Sequence, residues 1–249
     1  MRRQFLAYDG LQACPYLEGR VARLPLYRQL AKLDPDATDA AFAAGERRVG
    51  FSLYKTACPT CSECRAIRVL VNDFEPSRSQ RRAVRKFESV GRVEVGPPDV
   101  STDRVMLYNR HKRSRGLADP DDEPMTEEGY HGWLVDSCMN TIEMRYLIGN
   151  QLIGVGVIDV GRRAASSVYF YFDPEPEVAR LSPGVFSVLA EIAFCRARRL
   201  DHLYLGLYVR DCAHLSYKAD YRPHERYVDG DWRKFGPDRE PSDVPGREA

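Results

Sequence analysis

Apolar positions recur at three- and four-residue steps between Leu24 and Ala44, where Leu26, Leu30 and Leu33 predict a helix whose first piece ends at Asp34-Pro35. The period then shortens. Gly50–Tyr54 and Ala66–Val71 alternate apolar with polar positions, so they read as two strands of a hairpin, with the intervening residues in its loop. Ser77, with Gln80 three positions on and Pro76 before it, forms a capping box that opens a helix. At 100° per residue Arg78, Arg81, Arg82, Arg85 and Lys86 share one face of that helix, and Ala83, Val84 and Phe87 share the other. Gly96-Pro97-Pro98 reads as a linker.

Beyond it, Val105, Leu107 and Tyr108 begin a helical pattern that runs into Arg110-His111-Lys112-Arg113. Residues 119–128 are acidic and turn-rich and predict a surface loop, after which Tyr130, Trp133 and Leu134 resume a helix. Strands at Met144–Ile148 and Leu152–Val160 meet at Gly149-Asn150, a hairpin turn pair. A third strand, Ser167–Phe172, stops at Asp173-Pro174. Ser182 as N-cap and Pro183 in the first turn open a long helix with a Val185, Leu189, Ile192 stripe, closed by Arg196, Arg198 and Arg199. Leu203–Val209 is the next strand, which makes this a βαβ crossover with parallel strands. The open start of the long helix is a natural place for an anion or a carboxyl ester. From Asp229 the chain is charged and proline-rich and is expected to trail off without structure. The fold class is α+β with a mixed sheet: an N-terminal unit over 1–96, a second over 97–235, and a disordered tail over 236–249.

Composition narrows the function. A net charge of +1 over 249 residues gives no global field for nucleic acid, so any such affinity must be local. No apolar run approaches membrane-spanning length and the first residues lack a signal-peptide core, so no membrane partner and a cytoplasmic location are expected. The cysteine count is seven, which in a reducing compartment suggests thiols rather than disulfides. Cys58, Cys61 and Cys64 form two overlapping CxxC steps, which bring thiolates toward one metal centre. The trio lacks a local fourth ligand, and Cys14 is the candidate for it. Zinc and an iron–sulfur cluster both suit the spacing, and three reduced thiols without metal are the plainer alternative. The arginine-rich helix face carries no acid from 78 to 86, and cations at a helix N-terminus oppose its dipole. Phosphate binding explains that face better than a merely solvated one.

Several segments together resemble a known family. They are Cys14-Pro15-Tyr16-Leu17, Arg47-Arg48-Val49-Gly50, Tyr54-Lys55, the cysteine trio, and Phe74 with Ser77 to Arg82. In the second half they are Arg110-His111, Ser166-Ser167-Val168-Tyr169, Tyr171-Phe172-Asp173-Pro174, Tyr204-Leu205-Gly206, Tyr217-Lys218 and Tyr221-Arg222-Pro223. In order and spacing the chain resembles the bacterial aminoacyl-tRNA–protein transferases (aspartate/glutamate leucyltransferases), relatives of eukaryotic arginyl-tRNA–protein transferase, over residues 14–228. The resemblance implies a cysteine-bearing N-terminal domain and a GNAT-like acyltransferase domain. It implies transfer of an amino acid from charged tRNA to proteins beginning with Asp or Glu, marking them for degradation. Two segments depart from it. Leu181-Ser182-Pro183-Gly184 stands where the family has Ser-Leu-Gly, and Gly45-Glu46-Arg47-Arg48 where it has Gly-Phe-Arg-Arg, so leucine and arginine both remain open as the transferred residue.

For the chemistry, Tyr169, Asp173, Tyr217 and Lys218 lie at strand ends and in the loop after the last strand, where a crossover fold places its site, and are the catalytic candidates. Arg78, Arg81, Arg82, Arg85 and Lys86 are the tRNA-binding candidates. Arg48 and Arg222 are the candidates for bidentate pairing with the acceptor's carboxylate. Cys14, Cys58, Cys61 and Cys64 are the metal candidates. Two rival readings stand beside this one: an acyl-CoA-dependent N-acetyltransferase, against which the pyrophosphate loop near Arg180–Val185 is missing, and a non-catalytic metal-containing RNA-binding module.

Overall fold

The computed structural model describes residues 2–117 and 123–236. The chain begins with strands β1 (Gln4–Tyr8), β2 (Leu11–Ala13), β3 (Val21–Arg23) and β4 (Leu26–Gln29), helix α1 (Pro35–Ala43), and strands β5 (Arg47–Val49) and β6 (Ser52–Tyr54). It continues through β7 (Arg65–Leu70), α2 (Arg78–Glu88), β8 (Gly91–Gly96), α3 (Thr102–Ser114) and α4 (Glu127–Tyr130), which runs on into a π-helical turn. Then come β9 (Thr141–Ile148), β10 (Gln151–Val160), β11 (Ala164–Phe172), α5 (Pro176–Ala179), α6 (Pro183–Ala197), β12 (His202–Tyr208), α7 (Ala213–Ser216), a 3₁₀ turn, and the hairpin β13 (His224–Val228) and β14 (Asp231–Phe235).

Eight strands form one sheet in the order β14-β13-β7-β12-β11-β10-β9-β8. Its β11–β12 pair is parallel and the rest are antiparallel, so the expected crossover through α6 is present in a mixed sheet. A smaller sheet, β1-β4-β6-β5, packs to one side through α1: Phe42 and Leu53 share a core with Tyr204 of β12. Helices cover both faces of the large sheet. On one face α2 and α6 meet through Phe87 stacked on Phe186 at 4.0 Å, above Tyr146. Such a pair adds about 0.5–1.5 kcal/mol to the burial of both rings. On the other, Tyr108 of α3 sets its edge against Tyr130, Trp133 and Tyr171.

Several expectations need correction. The large sheet takes β7 and β8 from the residues before 96, and β7 lies between β13 and β12, so the fold does not divide at Gly96-Pro97-Pro98. The proposed Leu24–Ala44 helix is a strand followed by a helix. Leu30 is 56% exposed, so the leucine spacing marks no buried stripe. Asp34 caps the start of α1 by accepting from Ala37 N at 2.7 Å, and Asp34-Pro35 therefore opens a helix where it was expected to close one. The two strands flanking the cysteine trio belong to different sheets and do not form a hairpin. Asp229 begins a turn into β14 rather than a tail, because Trp232 and Phe235 bury against Tyr204 and His224. Residues 237–249, most of the expected tail, and 118–122 of the acidic loop lie outside the described residues.

Candidate active site

Where β11 and β12 part, the sheet opens. The parallel pair holds only from Ala164↔His202 to Ser166↔Tyr204. Past it β12 continues against β7 and β11 against β10, so their carboxyl ends diverge into a crevice, the usual ligand position in such sheets. Both strands are distorted at that point. Ser167 pairs with Ile158 and Tyr169 with the adjacent Val157, which leaves Val168 as the extra residue of a bulge. The bulge turns Ser167 toward α6 and Tyr169 toward α3. On β12, Gly206 has φ +78, and the Arg47 guanidinium would lie 2.8 Å from any Cβ there. Glycine is the residue that meets both conditions.

A pocket of about 510 Å³ lies between α2, the start of α6 and the segment after α7. One wall is α2, through Gln80, Arg82, Ala83 and Lys86; another is the start of α6, through Ser182 and Val185; the third is the segment after α7, through Tyr217, Asp220, Tyr221 and Arg222. The capping box that sets the start of α2 forms as expected: Gln80 N donates to Ser77 Oγ, and Gln80 Oε1 accepts from Ser77 N at 2.8 Å. Ser182 occupies the N-cap position of α6, but its backbone is left-handed (φ 58) and its side chain makes no capping bond. The expected hydroxyl cap is therefore replaced by a turn: Pro183 has no N–H, and the Val185 and Phe186 amides both donate to the Ser182 carbonyl at 3.0 Å.

This pocket brings together residues expected for three different roles. Arg82 and Lys86 come from the basic face, Tyr217 from the catalytic set and Arg222 from the acceptor set. Arg78, Arg81 and Arg85 are exposed on α2 outside the pocket, with the Arg81 guanidinium donating to the Pro76 carbonyl. Lys86 Nζ donates to Arg180 O at 3.3 Å. Arg222 donates to Ala219 O at 3.0 Å and Gly236 O at 3.3 Å. The charge of Arg115, at the end of α3, acts to lower both Tyr217 and His111, a smaller effect than burial in each case.

The remaining candidates lie elsewhere. Arg48 is fully buried, its Nε donating to Asp159 Oδ2 at 2.7 Å and its Nη1 to Trp133 O at 3.1 Å, so it joins the two sheets and does not reach an acceptor. Tyr169 packs against Tyr108 and Trp133 on the opposite face of the sheet, as the bulge dictates. Asp173 is buried at the end of β11, where it accepts from Arg110 at 3.0 Å and fixes α3 to the sheet. Lys218 is buried with Nζ donating to Leu207 O at 2.8 Å, and burial, then the nearby Arg47 charge, lowers its ammonium to about 7.

Two acids that the sequence patterns did not single out are Asp220, on the pocket wall, and Glu191, on the buried face of α6. Glu191 is 1% exposed; Ser167 Oγ donates to its Oε1 at 3.1 Å and its Oε2 has no partner among the described residues. Burial raises its carboxyl to about 8, with the Ser167 bond pulling the other way. An acid between Gly184 and Arg196, beside the apolar stripe of a helix, is the sequence signal that would have found it.

Family models described as "Arginine-tRNA-protein transferase, N terminus" and "Arginine-tRNA-protein transferase, C terminus" match residues 12–82 and 103–228. The chain belongs to the arginine-tRNA-protein transferase family. Aspartate/glutamate leucyltransferase of Campylobacter jejuni subsp. jejuni serotype O:23/36 (strain 81-176) is 33% identical over 85% of this chain and 88% of its own. Aspartate/glutamate leucyltransferase of Acinetobacter baumannii (strain ATCC 17978) is 30% identical over 93% and 84% respectively. Among solved structures, L-PGS from Bacillus licheniformis aligns with a TM-score of 0.47 at 12% identity over 71% of this chain and 61% of that one. The protein is thus an aminoacyltransferase with charged tRNA as co-substrate. The N-terminal family match supplies the α2 wall of the pocket as far as Arg82, and the C-terminal match supplies the α6 and Tyr217–Arg222 walls, so both are needed to build it.

In this transferase Cys14, Cys58 and Cys61 lie near enough to Cys64 for their charges to act on its thiol. All four are half-buried free thiols, and Cys64 is pushed up to about 12 by burial and then by the neighbouring Cys14, Cys58 and Cys61. Cys61 Sγ accepts from Arg20 at 3.4 Å. Among the described residues no group of three or more His, Cys, Asp or Glu side chains is arranged as a metal site. The donor set, four thiols from two distant segments, nonetheless has the chemistry of a zinc or iron–sulfur site.

Proposed function

We propose that this aminoacyltransferase moves leucine from charged tRNA to the α-amine of proteins that begin with Asp or Glu, marking them for degradation in the cytoplasm. One observation carries the reading: a single pocket joins the cations of α2 to the start of α6 and to Tyr217 and Arg222. Arg82 and Lys86 suit the phosphates of the tRNA's terminal nucleotides, Ala83 and Val185 offer an apolar surface for a leucyl side chain, and Arg222 suits the acceptor's carboxylate. The names of the curated relatives support leucine over arginine. The short parallel register of β11 and β12, beyond which the strands part, supports a GNAT-like acyltransferase sheet. Free thiols throughout the described chain suit a reducing compartment.

The chemistry asks for alignment above all. The ester is already activated and a neutral amine is a competent nucleophile, so holding the two in register supplies roughly 7–11 kcal/mol of the barrier. The test is incubation with separately charged leucyl- and arginyl-tRNA and peptides beginning with Asp, Glu, Asn or Ala. Leucine should pass to the Asp and Glu peptides at least tenfold faster than to the others. Equal rates for all four peptides, or for arginine and leucine, would contradict the reading.

We further propose that Cys14, Cys58, Cys61 and Cys64 hold one structural metal centre. When bound it would fix the loop before β7 to the Cys14 turn. Protein purified without oxygen should then contain about one zinc ion or one cluster per chain, and Cys14→Ser should lower that content and destabilise the N-terminal sheet. Full metal content in Cys14→Ser would place the fourth ligand elsewhere.

A further inference from the structure

Asp220 is the odd charge of the pocket. Among the described residues that line it, Asp220 is the one acid, beside the cations Arg82, Lys86 and Arg222. Those cations suit phosphates and a carboxylate, and an acid on the same wall repels both. Packing does not require it. Lys218, Ala219 and Tyr221 are the buried members of its segment and fix it to the core, Lys218 through the bond from Nζ to Leu207 O. Tyr217 and Asp220, at the two ends of the 3₁₀ turn, share one side of it and are exposed. The Asp220 backbone is held at α2, where its carbonyl accepts from Gln80 Nε2 at 3.4 Å. Its carboxylate has no hydrogen-bond or ion-pair partner among the described residues.

We infer that Asp220 binds the α-ammonium group of the aminoacyl ester, so that the enzyme selects donors whose amino group is free. The inference rests on the pocket being the site of transfer. An aminoacyl-tRNA carries phosphates and a cation together, because its α-ammonium sits on the carbon next to the ester carbonyl. The wall positions agree with that ligand. Gln80, which holds Asp220, shares α2 with Arg82 and Ala83, so the acid stands on the side that suits the tRNA end and the leucyl side chain. Transfer also brings donor and acceptor amines into one pocket, and they need opposite protonation states. The acceptor's amine attacks and must be neutral, whereas a carboxylate favours the charged form of an amine beside it. Asp220 therefore suits the amine that does not react. Held as ammonium, the donor's amine cannot attack a second ester, and it draws electron density from the carbonyl carbon that the acceptor attacks. A donor with an acylated amine loses the charge and leaves the carboxylate facing an amide.

A series of donors against one variant tests this. The donors are leucyl-tRNA, N-acetylleucyl-tRNA, and leucyl-tRNA deaminated with nitrous acid, which puts a hydroxyl in place of the amine. With a peptide beginning with Asp, wild type should use leucyl-tRNA about 10- to 100-fold better in kcat/KM than either analogue, the range for one charge-assisted contact. Asp220→Asn should lower kcat/KM for leucyl-tRNA by a similar factor. It should leave kcat/KM for the hydroxyl donor, and the KM for the peptide, within about twofold. Each donor is compared between the same two proteins, so the donors' own difference in reactivity cancels. A merely structural role would lower every donor alike. Melting checks the fold separately, and asparagine keeps the size of the side chain and the backbone bond to Gln80. Equal use of the leucyl and hydroxyl donors by wild type would overturn the inference, as would an Asp220→Asn effect that is absent or the same for both. A raised KM for the peptide would also overturn it, by assigning the acid to the acceptor's amine. Unchanged affinity for charged tRNA in Arg82→Ala/Lys86→Ala would instead refute the pocket reading.

Discussion

Asp159→Ala should lower the stability of the protein by about 3–5 kcal/mol, the usual result of stranding one partner of a buried ion pair. The side chains of Arg48 and Asp159 are each 1% exposed, and Nε meets Oδ2 at 2.7 Å. Asp159 Oδ1 accepts from Thr141 Oγ1 at 2.5 Å, and Arg48 Nη1 donates to Trp133 O, so the pair ties β5, β9, β10 and the π-helical turn together. Removing the carboxylate leaves a guanidinium in the interior with too few acceptors. Against a typical total of 5–15 kcal/mol, that loss is a large fraction. Chemical denaturation should show a lower midpoint at unchanged slope. The double variant Arg48→Met/Asp159→Leu should recover most of the loss, because it strands no charge. A single variant as stable as wild type would mean that the pair contributes nothing and would reopen an acceptor-binding role for Arg48.

Arg48 shows why part of the site was hidden from the sequence. An arginine in a family-like motif looks available for a ligand, and its partner lies 111 residues away on another strand. Local patterns were read well: the capping box of α2, the Gly149-Asn150 hairpin and the α6 crossover all follow from nearest neighbours. What failed depended on distant strands. The large sheet inserts β7 next to β12 and β13, so residues before Gly96 complete it, and no composition shift could reveal that pairing. Tyr169 was placed at the site by its strand-end position, but a single bulge residue, Val168, turns it to the other face. A one-residue slip reverses every later side chain, and a sequence carries no mark of it. Glu191 was passed over among the apolar positions of α6, because its hydrogen-bond partner, Ser167, arrives from another element.

The last expected result separates the cations of α2. If the pocket holds the terminal nucleotides of the tRNA, Arg82 and Lys86 carry the phosphate contacts, while Arg78, Arg81 and Arg85 only face solvent. Each charge-assisted contact is worth about 1.5–3 kcal/mol when formed. Because both side chains are exposed and screened, Arg82→Ala/Lys86→Ala should raise the KM for charged tRNA by roughly 10- to 100-fold at low salt. The slope of log affinity against log salt should fall by about 1.4, at about 0.7 per contact with a single strand. The KM for the acceptor peptide should stay within about twofold. Arg81→Ala, on the same helix but bonded to its own Pro76 carbonyl, should move neither quantity appreciably. The helix itself should persist in every variant, since alanine favours helix and the buried Ala83 and Phe87 are untouched. Equal effects from Arg81 and Arg82 would mean that the whole basic face lies along a duplex stem. No effect from either would move the tRNA to the end of α3, where the charge of Arg115 acts to lower Tyr217.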